Sequence, residues 1–156
     1  MLVNIVIFVS TKITNPTDMR RRTRAREFAL QILYQTDIAH DAFDAALDSF
    51  WQAHADKAVA SDLKDFTTEL VRGVTQNLKV IDEKISSFAA NWQLERMAVV
   101  DRNILRMGCF ELLFRDDIPP KVSINEAVEL AKKYSDTEAG KFVNAILDKI
   151  RIEKGK

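Results

Sequence analysis

Residues 20–35, RRRTRAREFALQILYQ, place the tightest limit on what this chain can fold into. The first seven positions hold five arginines, and the remainder sets Phe28, Ala29, Ile32 and Leu33 at the spacing of one apolar helical face. At about 100° per residue, Ala25, Phe28, Ala29, Ile32 and Leu33 fall within roughly 140° of one another. Arg20, Arg24, Glu27, Gln31 and Tyr34 gather on the opposite side, and Arg26 sits near the edge of the core face. The pattern therefore describes a helix that docks one face in a core and presents a cationic end. Guanidinium groups offer forked donors to phosphate oxygens, and a tyrosine ring offers a flat surface for an unpaired base. Together they suit single-stranded nucleic acid; the bland alternative is a solvated basic helix end.

A chain of 156 residues is large enough to bury one core without disulfides or metal. Only four glycines and three prolines interrupt a sequence rich in good helix formers. The formal net charge is zero, but its distribution is uneven. Residues 19–35 carry five positive charges against one negative, and residues 36–70 carry eight negative against two positive. Such a dipolar molecule steers an anionic partner to one end. Cys109 is the only cysteine and lies in an apolar run, which fits a core position in a reduced, cytoplasmic setting. His40 and His54 have no second ligand at metal spacing, so no zinc or catalytic cluster is expected.

Residues 2–9 (LVNIVIFV) are apolar but too short to span a bilayer, and no basic residue precedes them as in a secretory signal. We expect residues 1–18 to be an extension ahead of a native start at Met19. The domain is expected over residues 19–152, with a polar tail at 153–156.

The periodicity predicts a first helix from about Met19 to Ile38, capped by Thr17 or Asp18. A second helix, capped by Asp41, carries Phe43, Ala46, Leu47, Phe50 and Trp51. A connector at 53–60 leads to a third, capped by Ser61, with Leu63, Phe66, Leu70 and Val74 inward. Gly73 interrupts this helix and permits a close crossing. After a break at Asn77, Leu78, Ile81, Ile85 and Phe88 form a fourth core stripe, and Trp92 and Leu94 fall in a bend. Residues 97–114 are the most apolar, a central helix whose internal Asp101, Arg102, Arg106 and Glu111 rule out a membrane span. DDIPP at 116–120 stops it. Ser123 to Glu126 (SINE) and Ser135 to Glu138 (SDTE) read as capping boxes opening the last two helices. The final helix buries Phe142, Ile146 and Ile150. About seven helices and no strand make an all-α fold.

The start RRRTRAREFALQILYQ, with ILRMGCFELLFRDDIPPKVSINEAVELAKKYSDTEAGKFVNAILDKI much later, resembles the bacterial NusB family. The likeness runs from Met19 to Ile150, and IPPKVSINEAVELAKKY followed by KFVNAILDK is its most specific part. The first 18 residues and the segment 53–61 have no counterpart. The resemblance implies two small packed helical bundles, no catalysis and no cofactor. It implies binding to the boxA element of nascent ribosomal RNA together with NusE, a small-subunit ribosomal protein, in an antitermination assembly with NusA, NusG and RNA polymerase.

Carried onto this sequence, the family's RNA-binding residues fall on Arg20, Arg21, Arg22, Arg24, Arg26 and Tyr34. Lys141 and Asn144 form a second candidate RNA patch, with Phe142 read as core. Glu138 is the candidate contact for the protein partner, although a capping acid is the simpler reading. Two alternatives remain. One is a self-associating scaffold, a homodimer that masks its arginines. The other is a relative of the RNA-binding module of ribosomal RNA cytosine methyltransferases, for which the sequence holds no Gly-rich loop or catalytic cysteine motif.

Overall fold

Apolar residues recurring at three- and four-residue steps need partners to cover them, and the computed structural model supplies those partners with other helices. It describes residues 16–89, 91 and 93–156. In chain order these form α1 (Pro16–Ala39), α2 (Phe43–Ala53), α3 (Ser61–Gln76), α4 (Leu78–Phe88), a 3-10 turn (Leu94–Arg96), α5 (Val99–Phe114), α6 (Pro120–Tyr134) and α7 (Thr137–Lys154), with no strand among the described residues. None of these helices is long and apolar enough to cross a membrane. The run at 2–9, Met1 and the ring of Trp92 lie outside the described residues.

The elements sort into the two expected bundles. Helices α1, α2 and α3 pack on one another, while α4, α6 and α7 surround α5. Helix α1 also packs on α5, so one continuous core joins the two. Ala25, Ala29, Ile32 and Leu33 on α1 are buried, as are Leu70 and Val74 on α3 and Ile104, Leu105 and Leu112 on α5. Cys109 is fully buried, and burial pushes its thiol up to about 12. Gly73 does permit a close crossing: a Cβ there would lie 2.2 Å from the Phe110 ring.

Several helix ends differ from expectation. Helix α1 begins at Pro16, ahead of Met19, because proline's fixed φ suits a first helical position. It closes where His40 takes φ 57° and its amide bonds the Thr36 carbonyl at 2.8 Å. Neither Asp41 nor Ser61 caps its helix; Ala42 and Ala60 occupy those positions without a side-chain bond. Leu78 is exposed and not in the core stripe of α4. The SINE box is overturned, since Pro120 starts α6 one turn earlier and leaves Ser123 buried inside the helix. The SDTE box shifts by one residue, with Asp136 accepting from the Ala139 amide at 2.7 Å. Helix α7 runs on through Lys154, and Lys156 donates to the Leu112 carbonyl at 2.8 Å, so the tail is tied down.

Two ionic networks stitch the bundles together. Arg26, only 2% exposed, donates through Nε and Nη2 to the two Glu111 oxygens, each at 2.8 Å, and through Nη1 to Glu126 at 3.1 Å. Ser123 donates to Glu111 at 2.7 Å, and the Thr23 hydroxyl donates to Glu126. Of the arginines expected to contact RNA, Arg26 lies in the interior, where its guanidinium joins α1 to α5 and α6. In the second network, Asp37 accepts from Arg102 at 2.7 and 2.8 Å, from Asn103 at 2.9 Å and from Arg106 at 3.1 Å. Arg106 also forks onto Asp82 at 2.8 and 3.0 Å, which ties α4 to α5.

Removing one side of the first network strands a buried charge. Glu111→Ala is expected to cost about 3–5 kcal/mol in urea unfolding, and a loss below 1 kcal/mol would show that Arg26 finds compensation elsewhere. Gly73→Ala should cost about 1–3 kcal/mol by forcing the Phe110 ring aside, again read from the urea midpoint. Burial alone would push the Asp37 carboxyl up, but the Arg102 and Asn103 hydrogen bonds and the Arg106 charge hold it below its ordinary value. A lowered carboxyl stabilises the fold above its unfolded value and loses that contribution as pH falls through the folded one. The stability gap between the parent and Asp37→Asn, measured in urea at pH 7, should thus shrink as pH drops below about 4.

Candidate nucleic-acid interface

The cationic end of α1 follows from its register. Packing fixes Ala25 and Ala29 inward, which turns Arg20 and Arg24 to solvent. Arg20 makes no ion pair among the described residues, and its side of the helix faces water. Arg21 reaches Asp62 at 3.1 Å, with both side chains about half exposed, a pair weak enough to exchange for another anion. Arg24 lies with its guanidinium carbon 4.5 Å from the Phe28 ring centroid and donates to Glu27 at 2.9 Å.

Arg22 behaves differently from its neighbours. It is half-buried, with its guanidinium carbon 4.5 Å from the Phe66 ring centroid, and it makes no ion pair among the described residues. Burial, then the charges of Arg115 and Arg26, lower its pKa from the ordinary value.

Further along α1 an open groove of about 540 Å³ runs beside the helix, lined by Glu27, Leu30, Tyr34, Ile38, Val100 and Tyr134 among others. Tyr34 and Tyr134 are each 40% exposed and present ring surface to it. Glu27 anchors one wall. Its buried carboxylate accepts from Arg24, from Lys133 at 2.5 Å and from the Tyr134 hydroxyl at 3.0 Å. Burial by itself would push this carboxyl up, but the bonds from Lys133, Arg24 and Tyr134 hold it below the usual range. The arrangement sets a run of guanidinium groups ahead of an apolar trough between two aromatic rings. Chemically, that can take phosphates first and bases next.

Tyr134 was not legible as a site residue. It lies 100 positions from Tyr34 and ends a helix whose local pattern is unremarkable, so only tertiary packing brings the rings to one groove. Lys141 and Asn144 are exposed on α7, as expected, and Phe142 packs against the core. The start of α7 leans on the end of α6, where a Cβ at Gly140 would lie 3.1 Å from the Lys132 side chain. No bond among the described residues ties Lys141 or Asn144 to the arginines. Glu138 is exposed and pairs with Lys141 at 3.3 Å, one turn along the helix.

Comparison with known proteins agrees with this architecture. The model of the NusB family matches residues 23–151. Transcription antitermination protein NusB of Anaeromyxobacter dehalogenans is 52% identical over 130 residues, covering 83% of this chain and 89% of that one. The solved NusB of T. maritima superposes with a TM-score of 0.77 at 38% identity, over 85% of this chain and 91% of the other. A chain from a structure of antitermination factors NusB and NusE in complex with dsRNA superposes with a TM-score of 0.78 at 30% identity, over 86% and 98%. By sequence over most of its length, and by the two-bundle architecture built on α1 and α5, this chain belongs to the NusB family.

Proposed function

We propose that this protein is an RNA-binding transcription antitermination factor that takes the boxA element of nascent ribosomal RNA together with NusE. Through that assembly it joins NusA, NusG and RNA polymerase in the bacterial cytoplasm, and it performs no catalysis of its own. The observation that carries this reading is the exposed run Arg20, Arg21 and Arg24 leading into the groove between Tyr34 and Tyr134. One relative of known structure comes from a complex of NusB and NusE with dsRNA, and relatives in sequence bear the antitermination name.

The division of labour follows from the chemistry. Arginines on phosphates supply affinity that falls steeply with salt, whereas base contacts supply sequence preference. Rings of Tyr34 and Tyr134 stack on unpaired bases, and single-stranded RNA offers such bases where a duplex does not. Lys141 and Asn144 extend the strand's track onto α7, and exposed Glu138 beside them is offered to the protein partner. One helix and one groove give limited contact, so a second protein sharing the strand raises the affinity.

Titration of labelled boxA RNA by anisotropy, with and without NusE, tests this directly. Arg20→Ala with Arg24→Ala should weaken binding and flatten the salt dependence by about 0.7 in log–log slope per lost contact. Tyr34→Ala should weaken binding about 5- to 100-fold, as loss of one stacked base does, while leaving the slope unchanged. A slope identical to the parent's in the arginine variant would remove the basis of the proposal.

A further inference from the structure

Three guanidinium groups crowd one phenyl ring at the opposite edge of the arginine helix. Around the buried Phe66 of α3, the guanidinium carbons of Arg22, Arg26 and Arg115 lie 4.5, 5.2 and 5.5 Å from the ring centroid. Their charges are not equally answered. Arg26 is saturated by Glu111 and Glu126 in the interior. Arg115, at the end of α5, forks onto Asp117 at 2.8 and 2.9 Å and reaches Glu69 at 3.4 Å, and both carboxylates are more than half exposed. Arg22 rests on the ring and makes no ion pair among the described residues, feeling the Asp117 and Glu111 charges only at a distance.

A half-buried cation beside two others is costly unless an anion joins it. The nearest carboxylates are already committed, Glu111 to Arg26 and Asp117 to Arg115. What would satisfy the site is an oxyanion with several oxygens, able to take the free fork of Arg22 and to draw Arg115 off its exposed partners. We infer that Arg22 and Arg115 together form a phosphodiester clamp on the Phe66 ring, which carries the RNA backbone from α1 onto the α5–α6 turn. This rests on the RNA-binding reading for the source of the phosphate, and it adds Arg115, which no local sequence pattern marks as a ligand. Asp117 and Glu69 act as the resting partners that phosphate displaces, so the exchange at Arg115 swaps one anion for another and leaves no bare charge.

The test uses the full chain and labelled boxA RNA. Arg115→Gln should weaken binding about 3- to 10-fold and lower the salt slope by about one contact. Arg115→Lys, which keeps the charge but loses the fork, should fall between parent and Gln. Combining Arg22→Gln with Arg115→Gln should cost less than the product of the two single losses, as two groups on one phosphate do. Conversely, Asp117→Asn with Glu69→Gln should tighten binding about 2- to 5-fold by releasing Arg115, while Asp48→Asn, a neutralisation on exposed α2, should leave it unchanged. Urea midpoints check that each variant is folded.

Parent-like affinity and slope in Arg115→Gln, while Arg20→Ala weakens binding, would overturn the clamp and spare the RNA reading. Absence of RNA binding by the unmodified chain with NusE would overturn both. Thermal stabilisation by inorganic phosphate that Arg22→Gln abolishes, without any effect of Arg115→Gln on RNA, would assign the site to free phosphate and overturn the strand assignment.

Discussion

The buried fork between Arg26 and Glu111 is the constraint on which the two-bundle arrangement turns. Both groups are almost wholly removed from water, and taking either into a low-dielectric interior alone would cost several kcal/mol. Each is acceptable only with the other in place, so α1 and α5 are held to one relative position. Glu126 and Ser123 complete the hydrogen bonding and bring in α6. That fixed placement sets everything outward of it: the direction of Arg20 and Arg24, the seat of Arg22 against Phe66, and the groove farther along α1.

A second consequence is a gradient of charge neutralisation along one short run of arginines. Arg26 is buried and fully paired, Arg22 is half-buried and unpaired among the described residues, Arg21 and Arg24 hold replaceable carboxylates, and Arg20 is open. Composition treats these five residues as equivalent, but the structure gives them separate roles. The same ordering explains why the domain can carry so basic a helix start without repelling itself apart. Arg26, the one of the five wholly inside, is matched there, and Arg20, Arg21 and Arg24 outside are screened by solvent.

Much of the helical layout was legible because it depends on local periodicity. The core faces of α1, α3 and α5, the break at Asn77 and the stop at residues 116–120 all follow from apolar spacing and from proline. The role of Gly73 was readable in kind, although its partner Phe110 was not. Capping failed at α6 because the SINE tetrad satisfies a local rule while Pro119 and Pro120 had already begun the helix, and tertiary demand claimed Ser123 for Glu111. Arg26 lies at the edge of the core face on the wheel. Nothing local could reveal that Glu111, 85 positions away, waits there. Local periodicity likewise does not reveal that Tyr134 meets Glu27 of α1 or that Arg115 meets Glu69 and Phe66 of α3.

The sealed position of Cys109 carries a practical corollary. Its thiol is shut away from solvent and held protonated at neutral pH, which makes it inert to the maleimide reagents that seek an accessible thiolate. A single cysteine introduced at a surface position such as Asn144 would therefore be the one site to accept a fluorophore, with the native residue left in place. The surroundings of the exposed α7 face could then be watched in real time on an otherwise unaltered interior.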